Sequence, residues 1–358
     1  MTVFSAVDFS DHELVVFARD AESGLKAVIA VHSTALGPAV GGCRMWHYAS
    51  EEEAVRDALR LSRGMSHKNA MADLPLGGGK SVIMAPEGAF DRQALLRAFG
   101  RAVDSLGGRY VTAEDVGTTV ADMLAIRAVT KHVSGVGADG SRDGDPSPYT
   151  ALGVYHGIRA SVRHRLGKTS LEGVTVAVQG LGNVGRNLCA LLHRDGARLI
   201  VTDISPERVQ AAVAAHGAAA VGLEDILTVE ADVLAPCALG AVLNAETIPA
   251  LNVPVVAGAA NNQLATAEDG ERLRERGILY APDYVLNAGG IIAVSHEILN
   301  DFEQARVIAR IEAIDARLTA IFAEAEKTGL ATAAVADRMA EARIDAARKK
   351  RAAAVQAA

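Results

Sequence analysis

The chain is predicted to be an α/β protein of two domains, the second a doubly wound, mainly parallel sheet of the Rossmann type. Three observations lead there. From residue 174 onward, short apolar runs (VTVAVQG, RLIVTD, DVLAPC, VPVVAGA, GILYAP) alternate with helical stretches, the pattern of a parallel sheet covered on both faces. The first of those runs flows directly into a glycine cluster, GLGNVG. The residues before about 138 carry their own mixture of strands and helices, and 358 residues suffice for two cores.

Composition narrows the class. Half of the residues are apolar, the formal net charge is −7 and the pI is near 5.8, which gives no reason to expect a nucleic-acid partner. Three widely spaced cysteines (Cys43, Cys189, Cys237) lack the pattern of a disulfide scaffold or a zinc site, and HKNAMAD lacks the HExxH spacing, so no metal is expected. The start, MTVFSAVDFSDHELVVF, carries acidic residues where a secretory signal has a basic flank, and no apolar run approaches a membrane span. A cytoplasmic protein with no membrane partner is expected.

The elements follow in order. HELVVFARD and LKAVIAVHS read as adjacent strands joined by the turn AESG. SEEEAVRDALRLSRGMSHKNAMA has helical spacing and an acidic first turn. KSVIMAP is a strand ended by proline, DRQALLRAFGRAVDSLGG a helix closed by a glycine pair, RYVTAEDVGTT a strand running into a loop, and VADMLAIRAVT a helix. The glycine- and proline-rich GVGADGSRDGDPSPYT marks the approach to a boundary. We place the first domain at 1–138, the Rossmann domain at 139–325, and C-terminal helices at 326–358, with RAAAVQAA frayed.

In VTVAVQGLGNVG, Gly180, Gly182 and Gly185 follow an apolar strand, the context that gives GxGxxG meaning. The first glycine permits the tight turn, the second lets backbone approach a pyrophosphate, and the third allows strand–helix packing. Asp203 ends the next strand, where a carboxylate can accept hydrogen bonds from a ribose and repels the extra phosphate of NADP. NAD is the expected cofactor.

DLPLGGGKS raises a separate question, because it imitates a phosphate loop. The glycine such a loop needs five positions before Gly79 is Leu74, so the match fails. Only eight residues are lysine against twenty-eight arginines, yet Lys68, in RGMSHKNAMAD just upstream, and Lys80 fall within one glycine-rich, largely uncharged stretch. An ammonium can be tuned into a base by burial or by a second cation, whereas a guanidinium cannot. Asp115, in YVTAEDVGTT, is a carboxylate at a strand end that could exchange protons with a substrate nitrogen, or simply cap a turn.

At this point the chain resembles the amino-acid dehydrogenases of the leucine, phenylalanine and valine branch. The stretches that carry the resemblance are GPAVGGCRMWHY, LRLSRGMSHKNAMADLPLGGGKSVI, GRYVTAEDVGTT, GDPSPYTALGVYHGI, VAVQGLGNVG, APCALGAVLN, VVAGAANNQL and ILYAPDYVLNAGGII, from about residue 37 to 292. The resemblance implies reversible oxidative deamination of an L-amino acid to a 2-oxo acid and ammonia, with NAD as acceptor, in a cleft between the two domains. It implies that Lys68 holds the substrate carboxylate, Lys80 is the general base toward water, Asp115 moves a proton at the substrate nitrogen, and Asn262 orients the substrate. It adds Thr150, Asn183, Val184, Cys237, Ala238 and Asn261 to the cofactor site with the three glycines and Asp203. Gly41 and Gly42 are expected to let substrate lie against backbone.

By the same resemblance, Val40, Gly41, Met65, Ala113, Ile291 and Val294 surround the substrate side chain. All are small or apolar, so a second carboxylate would be buried unpaired and glutamate is disfavoured. The wording TAEDVGTT and GGCRMW is similar to the leucine enzymes, so leucine, with valine and isoleucine, is preferred to phenylalanine. A non-catalytic nucleotide sensor would have no need of both lysines and the aspartate. A 2-hydroxy-acid dehydrogenase would want a histidine base and an arginine. The family implies a homo-oligomer, from dimer to octamer. His67, Trp46 and the cysteines are expected to be structural.

Overall fold

Three apolar strands along residues 14–46 and the capped helix that follows them start the first half of the chain. The computed structural model describes residues 3–136, 145–299 and 303–356. β1 (Leu14–Asp20) and β2 (Leu25–Ser33) pair antiparallel, followed by β3 (Ala39–Trp46). α1 (Glu51–Met71) starts at Ser50, whose hydroxyl accepts from the Glu53 N–H at 3.2 Å, with three glutamates in its first turn opposing the helix dipole. Then come β4 (Gly77–Met84), α2 (Arg92–Asp104), β5 (Tyr110–Glu114) and α3 (Val120–Arg127). The sheet order is β1-β2-β4-β3-β5, with β4, β3 and β5 parallel to one another.

This sheet has two unlike faces, set by the period of two along each strand. Val28, Ala30 and Val82 pack with Ala54, Ala58 and Leu59 of α1. Ile29, Val31, Cys43 and Ile83 point the other way and join Leu95, Phe99, Met123 and Ile126 of α2 and α3. Both faces are covered, so β2 and β4 read as nearly continuous buried runs.

β4 begins earlier than the sequence predicts. Gly77, Gly78 and Gly79 lie in the strand and are buried. A Cβ on Gly78 would stand 2.0 Å from the Ser66 N of α1, and one on Gly79 would stand 2.6 Å from the Tyr110 ring. The glycine run therefore lets a helix and an aromatic ring close on opposite sides of one strand. It is no phosphate loop.

The second unit has α4 (Ser147–Leu166), β6 (Thr175–Gln179), α5 (Asn183–Arg194), β7 (Arg198–Thr202), α6 (Pro206–His216), β8 (Ala219–Ala220), β9 (Val233–Pro236) and β10 (Val255–Val256). It continues with α7 (Glu268–Glu275), β11 (Leu279–Tyr280), α8 (Asp283–Leu286), α9 (Gly289–Ile298), α10 (Gln304–Glu312), α11 (Ile314–Thr328) and α12 (Thr332–Gln356). The order β11-β10-β9-β6-β7-β8, all parallel, is 6-5-4-1-2-3 within this unit, the doubly wound arrangement.

The first compact unit comprises Met1–Asp145, Glu297–Asn300 and Ala340–Ala358; the second comprises Pro146–His296 and Asp301–Met339. The expected boundary after residue 138 lies outside the described residues. The return to the first unit starts at Ala340 rather than at 326, because α12 is one helix whose second half carries the contacts. There Arg343 donates to the Ala70 carbonyl at 2.8 Å and pairs with Asp73 at 2.7 Å, while Glu341 pairs with Arg63 at 3.0 Å. The tail expected to fray is helical through Gln356, as its alanines favour. Among the described residues no helix is long and apolar enough to cross a membrane.

Candidate active site

Strand alternation decides which polar groups meet in the first unit. β3 and β4 keep one register on both sides of their centre (Val40 opposite Gly78, Cys43 opposite Ser81), so Lys80 lies level with Gly42, which pairs with Ala113. Two residues further on, Arg44 and Asp115 project to the same face. Lys80, 7% exposed, makes a direct ion pair with Asp115 Oδ2. Arg44 Nε approaches that same oxygen at 3.4 Å. The partner of Lys80 is thus a carboxylate, where the sequence had suggested a second cation. Burial raises the Asp115 carboxyl, but Lys80 and then Arg44 outweigh it and hold the group below its ordinary value.

The loop after β5 is locked in place. The Asp115 N–H donates to Thr118 Oγ1 at 3.0 Å, and Thr118 Oγ1 lies 2.9 Å from the Cys43 carbonyl. Gly117 takes φ +79°, where a Cβ would meet the Met45 carbonyl oxygen at 1.9 Å, and Arg92 donates to the Gly117 carbonyl at 2.7 Å. The EDVGTT wording encodes this turn.

The candidate substrate residues of this unit lie on β3, β5 and α1, the elements next to the pair in the sheet or packed on it. Val40 is buried on β3 and Ala113 half-buried on β5. Met65 and Lys68 lie one turn apart on α1, and Met65 Cγ is 3.4 Å from where a Gly41 Cβ would stand. Gly41 and Gly42 are also required by the packing of the protein itself. A Cβ on Gly41 would stand 1.7 Å from the Gly79 carbonyl oxygen, and one on Gly42 would stand 2.7 Å from Asp115 Cβ. These glycines make room for β4 and for Asp115. His67 faces the His32 ring, with centroids 6.3 Å apart, and Glu341 at 3.8 Å. Trp46 is not packing: it is 54% exposed. Burial pushes the Cys43 thiol up to about 12.

The second unit gathers its candidates in three places. Gly180 turns at φ +99°, and Gly185 lies so close to it that a Cβ there would stand 2.0 Å from the Gly180 carbonyl oxygen. A Cβ on Gly182 would meet no protein atom within 4 Å, which leaves open space at the amino end of α5, beside Asn183 and Val184. Asp203 accepts from the Leu181 N–H at 2.6 Å and the Ser205 N–H at 2.8 Å. The Cys237 N–H donates to the Gln179 carbonyl at 2.7 Å, bringing Cys237 and Ala238 against the Gly180 turn. Burial pushes the Cys237 thiol up to about 11, so it is not a nucleophile near neutral pH. A tight turn, open space at a helix amino end and an oriented carboxylate fit a dinucleotide.

Asn261 and Asn262 are exposed on a loop that buried groups hold. Asn287, 3% exposed, donates to Asn261 Oδ1 at 2.7 Å and the Ala259 carbonyl at 3.0 Å, while the Gln263 N–H donates to Asp283 at 2.8 Å. Asn262 takes φ +52°, a region asparagine tolerates better than most side chains. Thr150, on α4, stands where a Gly290 Cβ would come within 2.6 Å of its hydroxyl, next to Ile291; Val294 follows one turn later on α9. Sequence reasoning missed Tyr110, which donates to the Gly41 carbonyl at 2.6 Å, and Asn69, which donates to the Gly77 carbonyl at 2.6 Å. It also missed Arg44 and Asn287. Each is a common residue type distinguished only by what folding places beside it.

Residues 12–132 match the Glu/Leu/Phe/Val dehydrogenase dimerisation domain, and residues 140–205 and 201–358 match the Glutamate/Leucine/Phenylalanine/Valine dehydrogenase family. The chain belongs to the Glu/Leu/Phe/Val dehydrogenase family. It is 52% identical over 351 residues to a leucine dehydrogenase of Geobacillus stearothermophilus, spanning 98% of this chain and 95% of that one. It is 49% identical over 347 residues to a valine dehydrogenase of Streptomyces albus, spanning 96% and 95%. The crystal structure of L-tryptophan dehydrogenase from Nostoc punctiforme superposes with a TM-score of 0.85 at 44% identity, over 95% of this chain and 97% of that one. Family membership makes this chain an NAD-dependent amino-acid dehydrogenase with a two-domain α/β architecture.

Proposed function

We propose that the chain catalyses the reversible oxidative deamination of a branched aliphatic L-amino acid, L-leucine before valine and isoleucine, to its 2-oxo acid and ammonia. The observation that carries this reading is the Lys80–Asp115 pair of the first unit, whose candidates for the substrate side chain, Val40, Gly41, Met65 and Ala113, include no basic residue. Glutamate's second carboxylate would lose its hydration there without a partner. Phenylalanine or tryptophan is the competing substrate.

NAD supplies the hydride acceptor, held at the glycine turn, the amino end of α5 and Asp203. Lys68 holds the substrate carboxylate. Asp115 takes a proton from the substrate ammonium, and the neutral amine that results loses hydride from Cα to leave an iminium. Lys80 takes a proton from water as its oxygen bonds to Cα, and Asp115 returns its proton to the carbinolamine nitrogen. Ammonia leaves as the hydroxyl releases its proton to solvent and the carbonyl forms. Asn261 and Asn262 orient cofactor and substrate. The match to a dimerisation-domain model supports a homo-oligomer, between dimer and octamer, built through the first unit. Three free cysteines suit a reducing compartment and a cytoplasmic location.

The test is kcat/KM for NAD-dependent deamination of L-leucine, L-valine, L-isoleucine, L-phenylalanine, L-tryptophan and L-glutamate. An aliphatic preference supports the pocket assignment. An aromatic preference overturns it and leaves the acid–base assignment standing.

A further inference from the structure

We propose that Arg44 is a positioning residue for this reaction, a fixed cation behind Asp115 that keeps its carboxylate aimed, and ionised before and after its proton transfers, while the charge on Lys80 changes. This rests on the acid–base roles given above to Lys80 and Asp115.

The geometry points to a purpose beyond a surface ion pair. Arg44 is 23% exposed and divides its guanidinium between two carboxylates. Its Nε approaches Asp115 Oδ2 at 3.4 Å, and its NH1 donates to Asp57 Oδ2 at 2.8 Å. Asp57 sits on α1 and is anchored in turn by the Tyr48 hydroxyl, which donates to the same oxygen at 2.7 Å. The far arm is therefore held by α1, and the near arm cannot swing away from Asp115 without breaking that hold. A lysine offers one point charge and cannot make this two-ended contact.

The chemistry explains why a second cation is needed. When Lys80 is the base it is neutral, and Asp115 would face it without a counter-ion in a partly buried site. A guanidinium does not release its proton, so Arg44 supplies a constant field through the cycle. The other titratable groups that feel the charge on Asp115 are Tyr48 and, from the opposite face of the sheet, the Cys43 thiol of β3 and Tyr110 of β5. Burial raises all three above their ordinary values and keeps them neutral near pH 7. Asp57 faces Arg44 from the far side and contributes the opposite sign.

The experiment is the pH dependence of kcat/KM for L-leucine in the wild-type oligomer and in Arg44→Gln, Arg44→Lys and Asp115→Asn, with NAD affinity measured by fluorescence titration. Arg44→Gln is expected to move the acidic limb upward by about one pH unit or more, since an opposite charge within a few ångströms is removed. Arg44→Lys is expected to keep the limb near its wild-type position and to lose about tenfold in kcat with KM for NAD unchanged. An unmoved limb in Arg44→Gln beside an inactive Asp115→Asn overturns the positioning role alone. A wild-type kcat in Arg44→Lys overturns it too, even if Arg44→Gln does not fold. Full activity in Asp115→Asn removes the underlying assignment and the positioning role with it.

Discussion

The ion pair between Lys80 and Asp115 is the point where charge chemistry and strand geometry meet. Lys80→Ala is expected to lower kcat by about 10²–10⁴, the usual worth of a positioned base, while leaving NAD affinity unchanged. Stopped-flow single turnovers with titrated NAD separate the two effects, and a variant within tenfold of wild type would sink the role given to Lys80. Asp203 invites a second substitution. Its carboxylate already orients the glycine turn through Leu181 and Ser205, and Ile204 beside it is 83% exposed. Asp203→Asn should raise KM for NAD by about tenfold or more, as expected when a charge-assisted hydrogen bond is weakened, and narrow the discrimination against NADP. Comparing the two cofactors at saturating amino acid reads both effects.

Elements position these residues by close approach. The glycines of β4 are the clearest case, because each admits a different neighbour. Gly78→Ala would press a methyl into the backbone of α1, on which Met65 and Lys68 ride. We expect about 1–3 kcal/mol of destabilisation, visible as a lower Tm, together with a raised KM for the amino acid. A variant with unchanged Tm would mean that α1 can retreat freely. The aspartate loop depends on α3 as well. Thr119 and Asp122 form a capping box at the amino end of α3, and Asp122 also pairs with Arg92 at 2.7 Å. That is why EDVGTT is a rigid platform and not a mobile tip.

Acid sensitivity belongs to the whole molecule. His32 lies within a buried ladder, its ring 4.9 Å from His12 and its Nδ1 2.8 Å from Ser66 Oγ. Burial first, then the neighbouring His12 and His67, lowers it to about 3 in the fold. Unfolded chain binds a proton near pH 6.5 that the folded chain refuses, so stability falls as pH drops from about 6.5 toward 3. One such histidine contributes a slope of up to about 1.4 kcal/mol per pH unit. In a melting series from pH 8 to pH 4, His32→Gln should lose Tm less steeply than wild type below pH 6.5. Parallel curves would rule out this histidine as the source.

Much of this was legible along the chain. The Rossmann unit announces itself because strand, glycine turn, helix and carboxylate are consecutive, and local sterics demand those residues at those places. Lys80 was visible as a scarce lysine in a largely uncharged stretch, and Asp115 as a carboxylate at a strand end. Their direct contact was not, because it depends on β3 lying between β4 and β5 and on a register that no local pattern specifies. Nor was it visible that Gly41 and Gly42 serve packing, that Trp46 is exposed, or that Arg44, one of twenty-eight arginines, stands behind the aspartate. Residue types and their periodicity are properties of neighbours in sequence. Which side chains touch across distant strands, and which charges lose their water, is set by packing and by the dielectric it creates.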